Sequence, residues 1–219
     1  MKAMILAAGR GKRMGVLTDK MPKPLLKIAG KFLIVHQIER LRDNGFFDIV
    51  VNVGYLGKQI IAALGDGEQY GVRLKYSIEP QEGLETGGGV FQALPLLGAS
   101  PFLLTNADVF CNYPYALLQQ QRPDSVHLVL VDTPEFKQKG DFSLAGDGSL
   151  LCEGDTLTFS GISVINPIIF ARCQPGFYPI APLFKQAIES GTATAEYYQG
   201  QWQDVGTPER LKALQSSIR

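Results

Sequence analysis

Short apolar runs alternate with stretches of helical periodicity in the first half of the chain. Residues 3–8 form an unbroken apolar run of the length expected for a buried strand. Ile34, Ile38 and Leu41 recur at helical spacing, with Gly45 as a stop signal. Residues 48–53 read as the next strand and 59–64 as a helix. Residues 72–78 read as a strand with Val72, Leu74, Tyr76 and Ile78 on one face. A helix is expected over 88–94. A buried strand over 102–105 then ends at Asn106-Ala107-Asp108. This alternation predicts an α/β fold: a mixed, mostly parallel sheet flanked by helices on both faces. In such sheets ligands bind beyond the carboxyl ends of the strands. Residues 9–13 and Asp108 both follow strands, so they are expected to share that edge.

The second half is richer in strands. Residues 126–131, 141–145, 150–152 and 157–165 are strand candidates, with Gly146-Asp147-Gly148 as a turn. A helix is expected over 179–189 and strands over 192–198 and 202–205. Thr207 is a good N-cap, with Pro208 at the first helical position, for a final helix to about Ile218. No linker, repeat or low-complexity tract divides the 219 residues. One domain over 1–219 is expected.

Composition narrows the class without choosing a function. Apolar residues make up 45% of the chain and charged residues 19%, as in an ordinary globular protein. The 21 basic residues balance 21 acidic ones, which argues against a broad basic face for nucleic acid. No run approaches a membrane span, and the N-terminal apolar stretch is too short for a signal peptide. A cytoplasmic location is therefore the expectation, with no obligate protein partner evident. Cys111, Cys152 and Cys173 fit neither a disulfide framework nor a zinc site. His36 falls on an expected helix and His127 in an apolar strand, so structural or solvated roles are expected for both.

The chemistry is concentrated near the N-terminus. A strand feeding Gly9-Arg10-Gly11-Lys12-Arg13 offers backbone N–H groups and cations to phosphate oxygens. Lys23 lies between Pro22 and Pro24, which stiffen its loop. Met14 stands where a dinucleotide-binding Rossmann loop needs its third glycine, and the Gly-Lys-Ser/Thr of a Walker loop is absent. Taken alone, the loop equally fits a strand-to-loop turn with solvated basic residues.

Longer motifs go further. The chain carries Leu6-Ala7-Ala8-Gly9-Arg10-Gly11-Lys12-Arg13-Met14 and Pro22-Lys23-Pro24-Leu25. It continues with Glu85-Thr86-Gly87-Gly88-Gly89, Asn106-Ala107-Asp108 and Phe159-Ser160-Gly161-Ile162, and then with Trp202-Gln203-Asp204-Val205-Gly206-Thr207-Pro208-Glu209-Arg210-Leu211. In this order they resemble the sugar-1-phosphate nucleotidylyltransferases, and the resemblance covers nearly the whole chain. It implies a Rossmann-like nucleotidyltransferase fold, with the nucleotide half over about 1–110 and the sugar-phosphate half over about 111–219. The C-terminal β-helix of longer members is expected to be absent.

The resemblance also implies roles. Arg13 grips the triphosphate, Lys23 offsets transition-state charge, and Asp108 and Asp204 hold Mg²⁺. Leu6, Ala7, Ala8, Gly9, Gly11, Thr86, Gly87, Gly88 and Asn106 are implied around the nucleotide. Glu79 is the candidate for reading the base, because related enzymes place Glu or Gln there. Gly87, Gly88 and Gly89 are expected to admit base or ribose. Gly140, Asp141, Glu153 and Gly161 map to the sugar region. Local reading leaves Asp204 equally open to a capping role ahead of Thr207. Tyr178, Lys185 and Trp202 remain open between packing and sugar contact, with packing favoured for Trp202. Two departures stand out: Ala107 replaces a usual glycine, and Gly15-Val16 replaces a usual Arg-Pro.

Short members using UTP and N-acetylmuramate 1-phosphate are the nearest likeness, and GTP with mannose 1-phosphate is the alternative. A non-catalytic nucleotide-sugar-binding regulator on this scaffold would lack one of Arg13, Lys23, Asp108 or Asp204, and all four are present.

Overall fold

The computed structural model describes residues 1–152, 154 and 156–217. Its strands are β1 (Ala3–Leu6), β2 (Lys27–Ile28), β3 (Lys31–Phe32), β4 (Asp48–Val53), β5 (Arg73–Ile78), β6 (Phe102–Asn106) and β7 (Val109–Cys111). They continue as β8 (Val126–Asp132), β9 (Ser143–Leu144), β10 (Leu150–Leu151), β11 (Leu157–Ile165), β12 (Ala193–Tyr197) and β13 (Trp202–Asp204). The helices are α1 (Leu33–Asp43), α2 (Gly57–Leu64), α3 (Glu85–Leu97), α4 (Ala181–Glu189) and α5 (Pro208–Ser217).

Seven strands form the central sheet in the order β12-β8-β11-β6-β1-β4-β5. β1 pairs in parallel with β4 and β6, β4 with β5, and β12 with β8. Only β11 runs against its neighbours β6 and β8. The α/β fold read from the sequence is therefore the observed one. Successive residues of β1 show why both faces are covered. Ala3 and Ile5 enter one core with Ile34, Ile38 and Leu41 of α1 and Ile60 and Leu64 of α2. Met4 enters the other with Val90, Ala93 and Leu97 of α3 and Phe184 and Ala187 of α4. A strand apolar on both sides needs a helix layer on each.

A third, smaller core joins the two ends of the chain. Met14, Leu26, Ile28 and Leu33 pack with Val205, Leu211 and Leu214. Met14, which broke the dinucleotide motif, is thus the apolar plug seating the basic loop against α5. The side chain of Thr207 accepts the N–H of Arg210 at 3.4 Å, as an N-cap should.

Two expectations need correction. Ile78 was expected on the buried face of its strand but is 67% exposed. β5 is an edge strand, and α3 packs on its other face, burying Ser77 and Glu79 instead. The strand expected over 141–145 is reduced to β9, because Phe142 makes only an isolated bridge with Leu157.

His127 and His36 are structural. His36 Nε2 lies 2.9 Å from the Ile28 carbonyl. His127 Nδ1 lies 2.8 Å from the Thr194 hydroxyl, and its Nε2 lies 3.5 Å from Glu196. The bond to His127 chiefly holds the Glu196 carboxyl below its ordinary value of 4.5, helped by the donated Tyr113 hydroxyl. A depressed carboxylate contributes stability above its unfolded pKa and loses it as pH falls. Glu196→Gln should therefore lower Tm at neutral pH, with the gap to wild type closing below about pH 4.5. Thermal melts across pH check this; a gap independent of pH would contradict it.

Candidate active site

A cleft of about 580 Å³ opens at the carboxyl ends of β1, β4, β5 and β6. Among the residues expected around a nucleotide, Leu6, Ala7, Ala8, Gly9, Gly11, Arg13, Lys23, Glu79, Thr86, Asn106 and Asp108 line it. The basic loop is held open by few bonds. The Gly11 carbonyl accepts Met14 N–H at 2.8 Å and the Thr18 hydroxyl at 3.1 Å. Gly11 has φ +66°, and a β-carbon there would lie 3.1 Å from the Lys23 β-carbon. Glycine is thus required twice over, by backbone conformation and by the lysine packed against it. Met14, Gly11 and Lys23 together explain how loop and lysine share one wall.

Lys23 makes an ion pair with Asp108, their side chains 12% and 25% exposed. Asp108 sits in the turn between β6 and β7. The Ala107 N–H donates to the Leu6 carbonyl at 3.0 Å, and the Val205 N–H to the Asp108 carbonyl at 2.9 Å. Ala107 is buried in the cleft wall, so the extra methyl is accommodated. β13 pairs antiparallel with β7, setting Asp204 opposite Val109 and so beside Asp108 in the ladder. Asp204 itself makes an ion pair with Arg210. Among the described residues no cluster of three or more His, Cys, Asp or Glu is poised for a metal. The donor set is two carboxylates, which fits Mg²⁺ when phosphate and water oxygens complete its shell.

Glu79 is buried, and both its oxygens are engaged. Oε1 accepts Asn52 Nδ2 at 2.6 Å, and Oε2 accepts the Leu84 N–H at 3.0 Å. Burial pushes its carboxyl above the ordinary value, against the pull of these two bonds. Asn52 also accepts the Ala7 N–H at 2.7 Å. The Glu79 carboxylate therefore organises the 80–84 loop, and Asn52 ties that loop to the end of β1.

The glycines of α3 do a different task from the one expected. A β-carbon at Gly87 would lie 2.6 Å from the Tyr178 ring, one at Gly88 2.0 Å from the Gly176 carbonyl oxygen, and one at Gly89 2.3 Å from Glu79. All three are buried, and Gly87 and Gly88 lie behind the cleft rather than on it. The space is taken by the 176–178 segment, latched by Gly88 N–H to the Tyr178 carbonyl and Tyr178 N–H to the Leu84 carbonyl. Gly88→Ala should destabilise the fold by roughly 1–3 kcal/mol, because its new methyl meets backbone. Denaturant unfolding reads the change; an unaltered midpoint would show that the latch yields freely.

The described sugar-region residues, Gly140, Asp141 and Gly161, do not line the cleft. Asp141 accepts the Phe159 N–H at 3.0 Å and pairs with Lys137 at 2.6 Å, and Gly140 precedes it away from the opening. Gly161 sits in the bulge of β11 at φ +80°, where a β-carbon would lie 2.7 Å from Asn106 Nδ2. Its bareness serves the Asn106 side chain. Trp202 packs as expected, its Nε1 donating to the Ser160 carbonyl at 2.8 Å. Tyr178 packs on Gly87, and Lys185 is exposed on α4. Glu153 lies outside the described residues. Asn52, Gln81, Gly83 and Phe177 line the cleft and escaped the sequence reading, as did the pairing of Arg210 with Asp204.

Residues 2–140 match the nucleotidyl transferase family. The chain belongs to that family. A Neisseria meningitidis serogroup B protein, N-acetylmuramate alpha-1-phosphate uridylyltransferase, is 46% identical over 225 residues, covering 99% of this chain and 97% of its own. The protein of the same name from Caulobacter vibrioides is 34% identical, covering 99% and 96%. The mannose-1-phosphate guanyltransferase of Aspergillus fumigatus is 31% identical over 95% of this chain but only 61% of its own length. The solved structure of HddC from Yersinia pseudotuberculosis complexed with GMP-PN covers 100% of this chain and 99% of its own, with a TM-score of 0.80 at 22% identity. That likeness fixes the nucleotidyltransferase fold. Among the described residues no helix of this nucleotidyl transferase is long and apolar enough to cross a membrane.

Proposed function

We propose that this chain transfers a uridylyl group from UTP to N-acetylmuramate 1-phosphate, releasing pyrophosphate, as a step in cell-wall recycling. The observation that carries the substrate pair is the 46% identity, over almost the full length of both chains, to the Neisseria uridylyltransferase. The cleft supports the chemistry. An oxygen of the sugar phosphate attacks the α-phosphorus of UTP. The bond from that phosphorus to the β-phosphate oxygen breaks, and its electrons leave with pyrophosphate. Both reactants are polyanions, so positioning and charge neutralisation dominate the barrier.

Each residue then has a task. The exposed loop from Gly9 to Arg13 offers N–H groups and the Arg13 guanidinium to the β- and γ-phosphates. Lys23, fixed between its prolines, offsets charge at the α-phosphate. Asp108 and Asp204 would hold Mg²⁺, which would neutralise phosphate oxygens. Glu79 and Asn52 shape the 80–84 loop on which the base rests, with Leu84 and Thr86 on the same wall. Asn106, backed by Gly161, faces the space between nucleotide and sugar phosphate.

A matrix of four nucleoside triphosphates against several sugar 1-phosphates, read as pyrophosphate release with Mg²⁺ and with EDTA, tests the reading. Metal-dependent release is expected with UTP and N-acetylmuramate 1-phosphate. Release with GTP and mannose 1-phosphate alone would move the chain to the other pathway.

A further inference from the structure

The Arg210 guanidinium is held by more than one contact. Its guanidinium pairs with Asp204 and lies over the Phe136 ring, 4.0 Å from the centroid. Only 14% of the side chain is exposed. It reaches Gly206, which lines the cleft, from behind the cleft wall. A β-carbon there would lie 2.2 Å from one terminal nitrogen of Arg210 and 3.4 Å from one of Arg13. Two guanidiniums thus meet over one bare residue. Like charges this close cost free energy unless an anion lies with them. In the free protein Asp204 is that anion for Arg210. Were Asp204 to give its oxygens to a divalent cation, the two guanidiniums would need another anion. A phosphate group supplies it, with oxygens that match both planar forks.

We propose that Arg210 is a substrate-phosphate ligand, held on Asp204 in the free protein and released to clamp a phosphate group together with Arg13. The Phe136 ring, its centroid 4.0 Å from the guanidinium carbon, gives the cation a face to rest on while its partner changes. No covalent bond is made or broken. The proposal rests on the nucleotidyl-transfer reading for the owner of that phosphate, and two owners fit the chemistry. One is the pyrophosphate portion of the nucleotide, and the other is the sugar 1-phosphate.

The test is binding measured without turnover. Pyrophosphate and, separately, N-acetylmuramate 1-phosphate are titrated calorimetrically, with Mg²⁺, into wild type and Arg210→Gln. The affinity for one of them should fall about tenfold or more, which identifies the owner of the clamped phosphate. Arg210→Lys should recover part of the loss, since it restores charge without the fork. Unchanged affinity for both ligands, with unchanged melting, overturns the proposal and leaves Arg210 a structural counter-ion.

If Arg210→Gln does not fold, side-chain NMR of wild type carries the test. The Arg210 Nε–H resonance should move on saturation with Mg²⁺ and one of the two ligands and not with Mg²⁺ alone to the same position. A resonance indifferent to both ligands overturns the clamp. Neither measurement uses a nucleoside triphosphate, and the pyrophosphate arm needs no sugar. A silent turnover matrix would therefore count against the uridylyl-transfer reading alone.

Discussion

Asp108→Asn should lower turnover by roughly 10²–10³-fold, the scale of losing one preorganised charge from a phosphoryl-transfer site. The substitution keeps shape and one oxygen but removes the negative charge. The backbone around position 108 is fixed independently of that charge, by the Ala107 and Val205 N–H bonds on either side. The fold should therefore survive. The Lys23 ion pair it loses is only 12% and 25% exposed, so some stability goes with it, roughly 1–3 kcal/mol. Pyrophosphate release and a thermal melt on the same preparation separate the two effects. Near-normal turnover would sink the assignment of Asp108 to the metal, and a parallel collapse of Tm would recast it as structural.

Lys23→Ala is expected to have the second-largest effect, again with turnover falling far more than stability. Lys23 is mostly buried between Pro22 and Pro24, with Gly11 packed against its stem and Asp108 at its tip. Removing it leaves the Asp108 carboxylate without its counter-ion and the phosphates without a fixed cation. The first loss is offset by water, because Asp108 is a quarter exposed. The second is not, because charge develops on the transferring group when no mobile cation is there to meet it. Lys23→Arg is the informative companion: it restores charge, but its larger fork meets Gly11 and the proline frame. Kinetics of both variants, beside their denaturation midpoints, decide the matter. Equal proportional loss of stability and rate in Lys23→Ala would point to a structural lysine.

Much of this was legible in the residues because it depends on local pattern. The mainly apolar runs at 3–8, 48–53 and 102–105 demand burial on both faces, and that demand forces helices onto both sides of the sheet. The cleft edge followed, since residues 9–13 and Asp108 come directly after two of those runs. What stayed hidden depends on contacts distant in sequence. Asn52 sits inside an apolar run and gives no sign that its amide joins Ala7 to Glu79. Gly87, Gly88 and Gly89 announced a close approach, but not that residues 176–178 and Glu79 make it. Ile78 kept the alternation of its strand, yet the edge of the sheet left it uncovered. Arg210 looks like any arginine on a surface helix until β13 brings Asp204 beneath it. Met14 read as a broken motif and proved to be a core residue, because its partners lie on α5.

The antiparallel strand of the central sheet has a further consequence for how the protein is made. β11 lies between β6 and β8, yet both neighbours leave the ribosome before it does. Until it arrives, each presents an open row of backbone donors and acceptors, the arrangement most inviting to a neighbouring chain. β13 comes later still and brings Asp204 to β7. A nascent chain thus owns its basic loop long before it owns both Asp108 and Asp204. A chain that ends between β8 and β11 leaves both rows uncovered, and one that ends before β13 lacks Asp204.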